Sequence, residues 1–230
     1  MTRSARKLCL ALLCCLAPLA HAGLLDAFSD KDATGGMREA LSQGAEIAVK
    51  ALGKQDGFLG NPEVRIELPG KLQQAESALR LMGQGERIDE LKTSMNRAAE
   101  QAVPEARTLL VSAVKQMSVQ DVKQVLGGGD DAATQYFREK TSAQLTQRFL
   151  PVVSKVTGRL ALAQQYNALA GQAASFGLMK AEDASVEQYV TRKALDGLFL
   201  MIAEQEREIR QNPAKAAGSL AKKVFSALGR

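Results

Sequence analysis

Cysteine, histidine and tryptophan are scarce in this chain, at three, one and none. Cys9, Cys14, Cys15 and His21 all lie within the first 22 residues. That segment reads as an export signal. Arg3, Arg6 and Lys7 form a positive stretch, and Leu8–Leu19 form an apolar run too short to span a bilayer. Ala20-His21-Ala22 presents small residues at the two positions a signal peptidase reads, so cleavage is expected after Ala22. A retained anchor needs a longer apolar run. Lipidation needs a small residue before the acceptor cysteine, which neither Cys14 nor Cys15 has.

Loss of that segment leaves an expected protein without cysteine, histidine or tryptophan. No internal disulfide can form, so the fold must stand on its core. Ser-His-Asp and Cys-His nucleophile systems are excluded. So are Cys/His zinc sites, His-ligated haem and iron–sulfur clusters. Only oxygen ligands remain for a metal, and no cofactor is expected. Three of the 30 basic residues leave and none of the 25 acidic ones, so the formal charge falls from +5 to +2. A near-neutral chain gives little reason to expect a nucleic-acid partner.

What remains is helical in pattern. Residues 23–33 read as a leader. Met37, Leu41, Ala45, Ala48 and Leu52 then recur at helical spacing, and Gly53 ends that run. Val64, Ile66 and Leu68 alternate with Arg65 and Glu67, but one strand without a partner makes no sheet. Phe58–Pro69, rich in glycine and proline, therefore reads as an extended connector packed over the bundle. Helices are expected over Lys71–Met82, Glu86–Val103 and Glu105–Met117. A short one capped by Ser118 and Asp121 ends at Leu126. A longer one starts at Asp130 and Asp131, whose carboxylates suit its positive end. It is expected to run to Leu150, with a kink or a new first turn at Pro151. Helix over Val152–Ala170, a loop over Gly171–Lys180, a capped helix from Ser185 and a terminal helix from Pro213 complete the pattern. The fold expected is all-α: a single compact bundle of about seven to nine helices over residues 23–230.

Four stretches are denser in polar groups than a plain bundle needs: Ser94–Glu100, Gly127–Phe137, Tyr189–Phe199 and Glu206–Pro213. Together with Gly57-Phe58-Leu59 and Ile66–Pro69, they make the chain resemble a family of exported proteobacterial proteins, domain of unknown function 4197. The resemblance runs from about Met37 to Phe225, and the Gly127–Gly129 run is longer than the family pattern suggests. It implies an all-helical periplasmic protein and brings no activity.

Two arrangements suit the polar residues. Arg97, Glu100, Lys140, Lys193 and Asp196 can form a buried ion-pair network that ties helices together. Alternatively, Asn96, Arg97, Asp131, Thr134, Tyr136 and Lys193 can converge on a pocket for a small anionic or polar ligand. The glycine run is no phosphate loop, because no Gly-Lys-Ser/Thr follows it. Asp30–Gly35 opens like a calcium loop but lacks the closing glutamate.

Leu220, Val224, Phe225 and Leu228 form an apolar stripe on the last helix, suited to docking on the bundle or to peripheral membrane contact. The chain thus reads as a non-enzymatic binding or scaffold module of the cell envelope. Its partner would be another envelope component or a small ligand. Alternatives are a carrier of a small anionic or lipidic ligand between helices, and a histidine-free hydrolase built on Asp or Glu with Lys or Tyr.

Overall fold

Apolar residues at three- and four-residue spacing make helices, and the computed structural model of the protein shows where each one begins and ends. It describes residues 30–178, 180, 183–215, 218, 219, 221, 222 and 226. The expected signal and the first residues of the leader lie outside these, as do Leu220, Val224, Phe225 and Leu228 of the terminal stripe. Eight α-helices are present among the described residues. They are α1 (Asp30–Leu52), α2 (Gly70–Leu81), α3 (Gly85–Ala102), α4 (Ala106–Gln116), α5 (Val119–Gly127), α6 (Ala132–Thr157), α7 (Ala161–Ser175) and α8 (Val186–Gln211). No strand occurs among those residues, and the fold is an all-α bundle.

The centre is built by α3, α6 and α8, each packed on the other two. Met95, Phe137, Phe149 and Leu198 of these helices are fully buried. Each such side chain contributes about 1.5–3 kcal/mol by leaving water. Helices α1 and α4 pack on each other and close over α8 and α6, and α5 bridges α1 and α6. At the periphery, α2 packs principally on α3, and α7 on α3 and α8.

Several expectations are corrected. Asp30–Gly35, which lacks the closing glutamate of a calcium loop, is helical and forms the first part of α1. Pro151 lies inside α6 and does not end it. It costs the helix one hydrogen bond, at the carbonyl of Gln147. The core contacts of Phe149 and Val153, both fully buried, carry the helix through. The break comes later, at Gly158–Leu160. Helix α7 continues to Ser175, into the segment expected to be a loop.

The connector is extended over Arg65–Pro69 and folded into turns before it. Phe58, Val64, Ile66 and Leu68 are all buried against the bundle. Gly197 of α8 makes that possible. A Cβ there would lie 2.8 Å from Cε1 of Phe58 and 3.3 Å from Cβ of Val64.

Candidate functional site

The polar stretches hold backbone, and they do so at a distance. Asn96 on α3 treats Ile66 as a neighbouring strand would. Its Oδ1 accepts from the Ile66 N–H at 2.8 Å, and its Nδ2 donates to the Ile66 carbonyl at 2.9 Å and to the Lys92 carbonyl at 2.8 Å. One turn later, Oε1 of Glu100 accepts from the N–H groups of Phe58 and Leu59, both at 3.1 Å. Arg97 neutralises that carboxylate at 2.7 Å and reaches Asp56 at 2.8 Å. From the other side, the Tyr189 hydroxyl donates to the Glu67 carbonyl at 3.1 Å. Two of the signature stretches thus clamp the connector between α3 and α8.

The other two stretches clamp each other. Asp131 stands at the N-cap of α6 but makes no capping bond. Glu206 of α8 replaces it. Its carboxylate accepts from the N–H groups of Ala133 and Thr134 and from the Thr134 hydroxyl, at 2.9–3.0 Å. Arg210 pairs with Glu206 at 2.8 Å and donates to the Val125 carbonyl at the end of α5. A third carboxylate, Glu187, accepts from Asn167 of α7 at 2.8 Å and from Thr157 of α6. Sequence reasoning named neither Glu187 nor Glu206 as site residues. The only local hint was the Glu206–Arg210 spacing of one turn.

The expected site residues are therefore distributed. Asn96, Arg97 and Glu100 stand at the connector. Asp131, Thr134, Lys193 and Asp196 line an open cleft of about 570 Å³ with Glu63 and Arg138. Tyr136 and Lys140 line a smaller one of about 220 Å³ beside Asp121. The proposed five-residue ion network separates likewise. Only Arg97 and Glu100 pair within it. Lys140 and Lys193 lie over the rings of Tyr136 and Tyr189, and Asp196 faces Arg138 and Arg192 at the surface.

Burial pushes the phenols of Tyr136, Tyr166 and Tyr189 above their ordinary value. Each remains a donor, to the carbonyls of Ala113, Asp183 and Glu67 respectively. None is poised as a base. Among the described residues, no group of three carboxylates could hold a metal ion, and no helix is long and apolar enough to cross a membrane.

A different feature stands open. Helices α2 and α7 both rest on α3, and between them runs a cleft of about 690 Å³. Leu72, Ala75 and Leu79 line it from α2, and Leu162, Leu169 and Ala173 from α7. These are helical stripes of the kind that normally face a core. Leu169 is nevertheless 71% exposed, and Leu178 just beyond α7 is 79% exposed. Leu81, Met82 and Phe176, at or just past the ends of the same two helices, are also exposed. At Lys71 and Tyr166 the cleft meets a second chamber of about 640 Å³, lined by Arg65, Glu67, Asp183, Arg192 and Lys193.

Residues 27–226 match the protein family described as "Protein of unknown function (DUF4197)". No curated protein and no solved structure matches the chain.

Proposed function

We propose, for a chain that belongs to the DUF4197 family of proteins of unknown function, that it is a non-enzymatic binding module of the cell envelope and that the α2–α7 cleft is its binding site. The cleft itself carries this reading. Among the described residues, the apolar faces of α3, α6 and α8 are buried in the core, while this cleft leaves Leu169 and Leu178 exposed beside about 690 Å³ of space. Exposed apolar surface of that kind marks interaction sites, and covering it returns about 25 cal/mol per Å². The polar residues support a non-enzymatic role, because Asn96, Glu100 and Glu206 spend their hydrogen bonds on backbone. Placement in the envelope rests on the export signal read at residues 1–22.

Nile red, a neutral apolar dye, tests the cleft. The protein should bind it saturably, one molecule per chain, with a rise in fluorescence. Leu169→Asp should abolish that rise without loss of helical circular dichroism. A wild-type protein that leaves the dye dark would sink the reading. Mass spectrometry of the protein recovered from whole cells tests export, and a chain beginning at Gly23 is expected. An intact Met1 terminus would count against it.

A further inference from the structure

We propose that the occupant of the cleft is a fatty acid anion, with its acyl chain between α2 and α7 and its carboxylate in the adjoining basic chamber. The proposal rests on reading the cleft as a binding site and adds the chemical class of the ligand.

Charge carries it. Four basic side chains, Arg65, Lys71, Arg192 and Lys193, face two carboxylates in the chamber wall, Glu67 and Asp183. Arg65 is paired with Glu67 at 2.9 Å, and Arg192 with Asp183. Lys71 and Lys193 have no carboxylate partner among the described residues, so the positive surplus is theirs. Lys71 lines both cavities and stands where the apolar one borders the charged one.

The backbone adds to this field. Helix α2 begins after Pro69, which supplies no side-chain cap. The first N–H groups of α2 thus lack intrahelical partners at the positive end of the helix dipole. Pro69, Gly70 and Lys71 all line the chamber, which presents that end to an anion.

Size agrees with the charge. The α2 wall of the cleft runs from Lys71 to Leu79, about 12 Å at 1.5 Å per residue, and the α7 wall from Leu162 to Ala173, about 16 Å, the length scale of a medium-length acyl chain such as laurate. Apolar residues line the cleft from Leu72 to Leu79, with Lys71 at one end. One long apolar wall with a cationic end is complementary to a single-chain amphiphile with an anionic head. A second copy of the chain fits less well. A symmetric pairing through this face would have each copy present the same basic chamber.

The test uses the full chain loaded with Nile red and displaced by laurate or by dodecanol, which has the same chain and no charge. Laurate should displace the dye with one molecule per protein, at a concentration about ten-fold below that of dodecanol. Lys71→Glu should weaken laurate by about ten-fold or more, and by several-fold more than it weakens dodecanol. Lys193→Glu should act in the same direction, which guards against a local effect of either variant.

Equal displacement by laurate and dodecanol would overturn the proposal while the cleft remained a binding site. So would insensitivity of laurate binding to both charge reversals. Failure of Nile red to bind at all would instead remove the cleft reading beneath it. A dimer in light scattering that Leu169→Asp dissociates would assign the face to a second copy, and that too would overturn the proposal.

Discussion

Glu100, Glu187 and Glu206 are the buried charged residues of the described chain, and each is satisfied by groups far away in sequence. A buried carboxylate is tolerable only when paired and hydrogen-bonded. Truncating one leaves its donors without partners. Glu206→Ala strips acceptors from two peptide N–H groups and a hydroxyl and leaves Arg210 uncompensated. It should cost about 3–5 kcal/mol in urea denaturation, and Glu206→Gln less, because the amide oxygen still accepts. A loss under about 1 kcal/mol for Glu206→Ala would show that the clamp is weak.

Glu204 behaves oppositely. Burial, then its hydrogen bond and like charge with Glu63, push its carboxyl above the ordinary value. The folded chain therefore holds this proton more tightly than the unfolded chain does. Its stabilising contribution is full below the unfolded pKa and is lost as pH rises through the folded one. Glu204→Gln, which mimics the protonated form, should raise the melting temperature near neutral pH. The gain should be a few tenths of a kcal/mol, fading as the pH drops toward about 4. A gain that does not vary with pH would contradict that origin.

At the scale of the element, two helix positions predict opposite signs. Pro151 is exposed, inside α6, and withholds an N–H from the Gln147 carbonyl. Pro151→Ala should stabilise the protein by about 1–3 kcal/mol. Gly197→Ala gains helix propensity but drives a methyl into the buried Phe58 ring. It should lose about 1–2 kcal/mol net. Thermal melts of the two variants, bracketing wild type, check both.

These elements also show what the sequence makes legible. Helical periodicity and the Ser118–Asp121 capping box are local patterns, and the box forms as its spacing suggests, with a bond at 3.1 Å from the Asp121 N–H to the Ser118 hydroxyl. The connector's alternation was legible as a packed extended piece for the same reason. The targets of Asn96 and Glu100 were not legible. They are the peptide groups of Ile66, Phe58 and Leu59, and every residue carries such groups. The cap that Glu206 places on α6 spans 72 residues and leaves no local trace. Nor was the cleft readable. A stripe such as Leu162, Leu169 and Ala173 says that a face is apolar and is silent on what covers it.

For the whole molecule, stability and binding are divided between different helices. Helices α3, α6 and α8 each pack on two central partners, whereas α2 packs principally on α3 alone. Local opening is cheapest where few buried contacts must break. Only Leu72 of α2 is buried, against thirteen residues of α8. Amide hydrogen exchange should therefore show α2 opening well below the global unfolding free energy, with α3, α6 and α8 exchanging only near it. An apolar occupant of the cleft touches α2 and α7 and leaves the centre alone. It should slow exchange in α2 and α7 by the factor set by its concentration over Kd and shift the central helices only through global stability. The same division predicts that Leu169→Asp changes the unfolding free energy by no more than about 0.5 kcal/mol, because Leu169 already stands in water. Leu110→Ala, at a fully buried site of α4, should cost about 2–5 kcal/mol. A Leu169→Asp cost approaching that of Leu110→Ala would mean that α2 and α7 close on each other in solution. In that case α2 amides would be as protected as those of α3, so the two measurements check one another.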